Sequence, residues 1–273
     1  MSSQSRLRRL FSPKSVAVIG GGVWCRSVIE QLFKIGYKGK IFPVHPSKKE
    51  ILGLKYFKDL EEVPIEIDAS FVGVNRNITI EVIKKLNDLN AGGAVCFASG
   101  FLEAEDDKQG SGELQKSLIE AAGDMPILGP NCYGFINYLD RSVLWPDQHG
   151  GKAVDRGVAI LTQSSNLAIN ITMQTRGLPI SYIMSVGNQA SLGFPEIGMY
   201  LLSDPRVTAL GLHIEGIGDV RAFEELATKA RKLGKSIVVL KVGKSAEARK
   251  AAQSHTASLA GNCLLYTSDA ADE

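Results

Sequence analysis

Short, mainly apolar runs recur along the chain at residues 16–19, 41–44, 69–74, 94–97 and 127–128, each rich in Val, Ile or Phe and bounded by Gly, Pro or Asn. Runs that do not alternate with polar residues predict strands covered on both faces, as in a parallel sheet. Between them apolar positions fall at helical spacing, first Val28, Leu32 and Ile35, then Ile78, Val82, Leu86 and Leu89. Strand alternating with helix predicts a doubly wound α/β domain. After a stretch containing Gly and Asp at 147–157 the pattern restarts, with strands expected at 158–161, 182–186, 209–214 and 237–242 and helices at 165–176, 197–202 and 222–233. The expected division is a first domain over 1–150 and a second over 151–262, with the boundary near Gly151.

Composition narrows what such a protein does. Of 273 residues, 44% are hydrophobic and 22% charged, which supplies core-forming material and excludes a disordered or fibrous chain. Lys plus Arg number 31 against 29 Asp plus Glu, so neither nucleic acid nor an acidic membrane surface is an expected partner. Cys25, Cys96, Cys132 and Cys263 show no paired spacing and the N-terminus has no long apolar run, so the expected compartment is the cytosol, and no metal site is predicted. Arg6, Arg8 and Arg9 are expected on a solvated helix face. Residues 263–273 (CLLYTSDAADE) do not continue the pattern ahead of them and read as non-native peptide, of the kind an adapter end used in DNA library preparation encodes. On that reading the second domain is truncated near Asn262.

The first strand runs into Gly20, Gly21 and Gly22 ahead of a helix. Glycine there lets backbone approach a ligand, and the amides of the following helix N-terminus face an anion, so this is a phosphate-binding position. The dinucleotide fingerprint is incomplete, because Cys25 holds its third glycine position and His45-Pro46 follows the second strand where a ribose-binding acid belongs. NAD is therefore disfavoured, and Ser47, Lys48 and Lys49 suit a phosphorylated ribose instead. Turns at Val74-Asn75-Arg76, at Ser99-Gly-Phe101 and at Gly129-Pro-Asn-Cys132 also fall at strand C-termini, where open α/β sheets bind ligands. Cys132 lacks a base partner in sequence and reads as a small half-buried thiol rather than a nucleophile.

Nine segments stand in order: Ser15-Val-Ala-Val-Ile-Gly20, Pro43-Val-His-Pro46 with Glu50-Ile-Leu-Gly53, Ser99-Gly-Phe101, Gly129-Pro-Asn-Cys132, Thr162-Gln-Ser164, Val186-Gly-Asn188, Ile214-Glu-Gly216, Leu240-Lys-Val-Gly243 and Ser254-His-Thr-Ala-Ser-Leu-Ala-Gly261. Together they resemble the nucleoside-diphosphate-forming acyl-CoA synthetases, relatives of the succinyl-CoA synthetase α subunit and of ADP-forming acetyl-CoA synthetase. The resemblance implies an α/β fold with a Rossmann-like CoA-binding domain followed by a flavodoxin-like succinyl-CoA-ligase domain. It places coenzyme A around Gly20, Gly21, Gly22, Pro46, Ser47, Lys48, Asn75, Ser99, Gly100, Phe101 and Asn131. It also implies a transiently phosphorylated histidine, His255.

The surroundings of His255 suit that role. Small residues flank it and leave room for a phosphoryl group, and neutral imidazole is a nucleophile near pH 7 because its ordinary pKa is about 6.5. Such a histidine needs its other nitrogen oriented, and Glu215, at the end of a strand before Gly216, stands where the family uses a glutamate for this. By the two-residue period His213 shares that face and is read as a packing or accessory residue. Ser164 and Ser165, between a strand and a helix, offer hydroxyls and amides to the phosphoryl group, although Ser165-Asn166 replaces the family's usual Gly and small residue. Val23-Trp24-Cys25 likewise replaces smaller polar residues.

The implied reaction joins a small carboxylic acid to CoA at the expense of ATP, yielding acyl-CoA, ADP and phosphate. No complete G-x-x-x-x-G-K-Ser/Thr loop is present, so ATP/ADP with Mg is assigned to an ATP-grasp domain or β subunit outside this chain, which alone is expected not to turn over. An oligomer is expected. The alternative reading is a non-catalytic CoA- or acyl-CoA-binding regulatory module of the kind fused to protein acetyltransferases, which retention of both His255 and Glu215 opposes.

Overall fold

A computed structural model describes residues 3–104 and 110–242. Helix α1 (Ser3–Phe11) leads into β1 (Ser15–Ile19), α2 (Val23–Ile35), β2 (Lys40–Val44) and a small hairpin of β3 (Glu50–Ile51) with β4 (Leu54–Lys55). Then follow β5 (Ala69–Val72), α3 (Arg76–Asp88), β6 (Gly93–Cys96), α4 (Ser111–Ala122) and β7 (Ile127–Leu128). Strands β1, β2, β5, β6 and β7 form one parallel sheet in the order β2-β1-β5-β6-β7. Every residue of β1, β5 and β6 is buried, which is why these strands read as continuous apolar runs. Helix α2 turns Cys25, Val28, Ile29 and Leu32 inward and ends at Gly36, whose φ of 77° only glycine adopts without strain.

The second sheet starts earlier than the sequence pattern. Strands β8 (Gly134–Asn137) and β9 (Ser142–Leu144) lie ahead of the expected boundary at Gly151, yet they pair antiparallel onto this sheet. The rest of it is β10 (Gly157–Thr162), α5 (Ser165–Thr172), β11 (Ile180–Ser185), α6 (Phe194–Leu202), β12 (Val207–Ile214), α7 (Val220–Lys232) and β13 (Ser236–Lys241). Its strand order is β13-β12-β10-β11-β8-β9. Both sheets therefore reverse their strand order once, between β1 and β5 and between β10 and β12, and it is at the strand C-termini of such reversals that open α/β sheets bind ligands.

The two sheets share one hydrophobic core. Phe11 packs edge-on against Phe135 with centroids 5.3 Å apart, and fully buried Trp145 stands edge-on to Tyr133 at 5.4 Å. A polar tie crosses the same seam, Ser12 Oγ donating to Asp140 Oδ2 at 2.7 Å, and within the second sheet Arg206 Nη1 donates to Asp140 Oδ1 at 2.7 Å.

Three expectations change. Helix α5 ends at Thr172 rather than 176, because Arg176 N donates to Gln174 Oε1 at 2.7 Å and Gly177 takes a left-handed φ of 77°, turning the chain toward β11. Arg9 is not solvated: its side chain is 13% exposed, and it donates to Asp68 Oδ1 at 2.7 Å and to the Ile67 and Asn90 carbonyls at 2.9 Å each. In α3 the inward residues are Thr79, Ile83 and Leu86, whereas Ile78 is 43% exposed and lines a cavity with Val82.

Candidate functional site

The glycine turn after β1 is built for close approach. Gly20 has φ 126°, and a Cβ there would meet the Gly73 carbonyl oxygen at 2.7 Å. Gly22 caps α2 with no side-chain hydrogen bond, so no side chain covers the first-turn amides. The turn after β2 folds over this one. His45 Nδ1 accepts from the Ser47 and Lys48 amides at 3.2 Å each, and Lys48 Nζ donates to the Gly21 carbonyl. A Cβ on Gly21 would lie 2.5 Å from His45 Cδ2, so only glycine fits beneath that imidazole. The ribose-binding carboxylate is absent and a lysine ammonium takes up the space beside the turn, which suits a phosphorylated nucleotide better than NAD.

Cys25 explains the missing third glycine. Its thiol is 1% exposed and donates toward the Ile19 carbonyl at 3.5 Å and the Gly73 carbonyl at 3.8 Å. The room for this sulfur comes from the neighbouring strand, because a Cβ on Gly73 would lie 2.5 Å from Cys25 Sγ. Burial pushes the Cys25 thiol up to about 11, against a hydrogen bond from the Gly22 backbone and the charge of Lys48. Cys132 is 2% exposed and burial pushes its thiol well above the ordinary value, with Cys96 adding to the rise. Neither thiol is a nucleophile at neutral pH.

The other turns of the first sheet meet the second sheet across a cavity of about 540 Å³. Asn75, Ser99 and Asn131 line one side of it, and Ser165 of α5 lines the other. Asn75 Oδ1 caps α3 by accepting from the Asn77 and Ile78 amides at 3.1 Å each. Arg76 Nη1 donates to the Gly100 carbonyl at 2.7 Å, and the Gly100 amide donates to Glu103 Oε1 at 2.6 Å. Phe101 lies beneath this turn, fully buried in the core. Gly20, Gly21 and Pro46 line a separate cavity of about 420 Å³ with Ile78 and Val82, and Val74 borders both cavities. Gly22 and Lys48 border a third of about 320 Å³ that shares Gly21. Of the sequence-predicted residues, Gly20, Gly21, Gly22, Pro46, Lys48, Asn75, Ser99 and Asn131 thus line these neighbouring depressions, whereas Ser47, Gly100 and the buried Phe101 line none of the three. Trp24, Phe97 and Tyr133 also line the cavity of about 540 Å³, and the sequence pattern did not place them in a site.

At the second reversal, Thr162 and His213 are register partners on β10 and β12, with Thr162 Oγ1 and His213 Nδ1 3.2 Å apart. The Ser164 side chain accepts from the Leu167 amide at 3.4 Å as the cap of α5, and Ser165 Oγ lies 2.6 Å from Ser185 Oγ. Glu215 is only 5% exposed. Gln163 Oε1 accepts from the Glu215 and Gly216 amides at 2.6 and 3.1 Å, and Lys241 Nζ donates to the Glu215 carbonyl at 2.8 Å. These bonds fix where the Glu215 side chain leaves the strand end. Gln163 stands inside the Thr162–Ser164 motif, but its partner is 52 residues away and no local pattern announces it. His255 and residues 263–273 lie outside the described residues.

Residues 14–138 match the CoA binding domain family, and residues 155–270 match the succinyl-CoA ligase like flavodoxin domain. Over 266 residues the chain is 34% identical to ADP-forming acetate–CoA ligase II subunit alpha of Pyrococcus furiosus, across 94% of this chain and 56% of that subunit. It is 32% identical over 280 residues to a trans-feruloyl-CoA synthase of an unspecified prokaryote, across 99% of this chain and 40% of that protein. A solved dinucleotide forming acetyl-coenzyme A synthetase 1 of Ca. Korarchaeum cryptofilum, in complex with phosphate and ADP, superposes with a TM-score of 0.83 at 30% identity, covering 95% of this chain and 56% of that one. The chain spans about half the length of the curated relatives it matches. Among the described residues no helix is long and apolar enough to cross a membrane, and no cluster of metal-ligating side chains occurs.

Proposed function

The chain belongs to the nucleoside-diphosphate-forming acyl-CoA synthetase family, and on that premise we propose that it is the CoA-binding and phosphohistidine part of an ADP-forming acid–thiol ligase. The observation that carries this reading is the cavity in which Asn75, Ser99 and Asn131 of the first sheet face Ser165 of the second. A thiol bound along the first sheet edge there meets an anion held at the N-terminus of α5. The uncapped α2 amides and Lys48 hold the phosphates of CoA, and the depressions bordered by Val74 carry the rest of the molecule toward Asn131.

Catalysis divides into three displacements. A neutral imidazole nitrogen of His255 attacks the γ-phosphorus of ATP and releases ADP. A carboxylate oxygen of the acid then takes the phosphoryl group, which frees the imidazole and leaves an acyl phosphate. The CoA thiolate attacks the carbonyl carbon and expels phosphate. Each stage replaces a poor leaving group with a good one. Ser164, Ser165 and the first-turn amides of α5 stabilise the travelling phosphoryl group, and Glu215 orients the imidazole. ATP and Mg are held by an ATP-grasp domain or partner subunit, the acid is a small carboxylate, and the assembly works in the cytosol as an oligomer.

Calorimetry tests the first half. The chain binds CoA in the micromolar range and NAD at least about tenfold more weakly, a difference of about 1.4 kcal/mol. Equal affinity for the two, or no binding of CoA, refutes the reading.

A further inference from the structure

The cavity of about 540 Å³ has a wall that CoA chemistry does not call for. Trp24 follows the glycine turn in the first turn of α2 and is 42% exposed, while the other tryptophan, Trp145, is fully buried. The Trp24 ring leans over the ends of the more distant strands. Its centroid lies 5.5 Å from Phe97, which follows β6, and 6.2 Å from Tyr133, which precedes β8. Phe97 and Tyr133 are themselves 5.8 Å apart. The three planes meet at 43–47°, so the rings form a tilted tripod and not a closed stack, and the partly exposed indole keeps a face toward the cavity.

Asn75, Ser99 and Ser165 line the same cavity, so its lining joins aromatic rings to polar side chains. A pantetheine arm carries amides and methylenes and no ring. An acetyl group has no ring to set against the aromatic residues. Nor is the wall placed for the adenine of CoA, since Gly20, Gly21 and Pro46 line a different cavity beyond Val74. A planar apolar group attached at the thiol end suits both kinds of lining, with its carboxyl carbon toward Ser165 and its ring against Trp24.

We propose that Trp24, Phe97 and Tyr133 form an acyl subsite selecting carboxylic acids whose chain ends in an aromatic ring. This rests on the reading above that the thiol end of CoA reaches the same cavity. Trp24 supplies the open ring face, and Phe97 and Tyr133 hold the indole at its angle.

Binding of thioesters to the chain itself tests this without an ATP-grasp partner. Benzoyl-CoA is expected to bind about tenfold tighter than acetyl-CoA, as one ring-on-ring contact in a dry site provides. It also quenches Trp24 emission, read above the constant contribution of buried Trp145. In Trp24→Ala the preference falls to within about twofold, and in Trp24→Phe most of it returns because a ring is restored. Because Trp24 is half-exposed at a helix start, the variants fold, and matching circular dichroism confirms it. Equal affinity for the two thioesters, or a preference unchanged in Trp24→Ala, overturns the subsite. Equal quenching by 3′,5′-ADP, the nucleotide half of CoA, overturns it too, by assigning the wall to adenine. Failure of every CoA species to bind refutes instead the CoA-binding reading on which the subsite depends.

Discussion

Replacing Gly73 by Ala puts a methyl carbon 2.5 Å from Cys25 Sγ and 3.1 Å from Phe71 Cε1, both in the packed floor beneath the glycine turn. Both neighbours are buried, Cys25 at 1% and Phe71 at 0% exposure, so neither side chain has solvent to move into. Overpacking of this kind costs about 2 kcal/mol. Removing the sulfur alone, in Cys25→Ala, leaves a small void and costs about 1 kcal/mol. The double variant puts the new methyl into the space the sulfur vacates and restores a small residue at the third fingerprint position. Its loss should therefore be about 1 kcal/mol rather than the sum of about 3, a coupling of about 2 kcal/mol. Urea unfolding of the four proteins at a common slope measures all the terms. Losses that add to within about 0.5 kcal/mol would refute the idea that Gly73 and Cys25 share one packing site.

Two further outcomes concern other parts of the molecule. Burial, and then the charge of Lys34, lower the His149 imidazole from 6.5 to about 4 despite a backbone hydrogen bond at Gly151, so it is neutral when folded and protonates first when unfolded. Its contribution is complete above pH 6.5 and is lost as the pH falls toward 4, worth about 3 kcal/mol; His149→Gln should flatten denaturant midpoints across that window, and an unchanged slope would contradict this. Ser164→Ala removes the acceptor for the Leu167 amide and should cost about 1 kcal/mol in thermal unfolding, with no loss if the cap does not hold α5.

The parallel strands were legible because burial on both faces leaves few polar positions to break the run, as in the fully buried β1 and β5, where only Ser15 and Ser70 are polar. Strands β8 and β9 were not, being four and three residues long, with β9 paired to β8 and β8 paired to β11 from about 45 residues away, where short-range pattern carries no signal. Ile78 and Val82 kept the helical period but border a cavity, since an apolar position reads the same whether it faces a core or a ligand. Glu215 was placed at a strand end from its sequence alone, whereas the carboxamide that fixes it, Gln163, is brought near only by the pairing of β10 with β12. Trp24 stood out as an unusual residue after the glycines, but its partners Phe97 and Tyr133 come from distant turns that only the folded sheet assembles.

The phosphohistidine is tested most directly by mixing the chain with an ATP-grasp partner of the family and γ-labelled ATP, and following label on this polypeptide. The wild-type chain should acquire acid-labile, base-stable label that is discharged by acid substrate and CoA together, and His255→Asn should acquire none. Equal labelling of His255→Asn and wild type would contradict the phosphohistidine assignment.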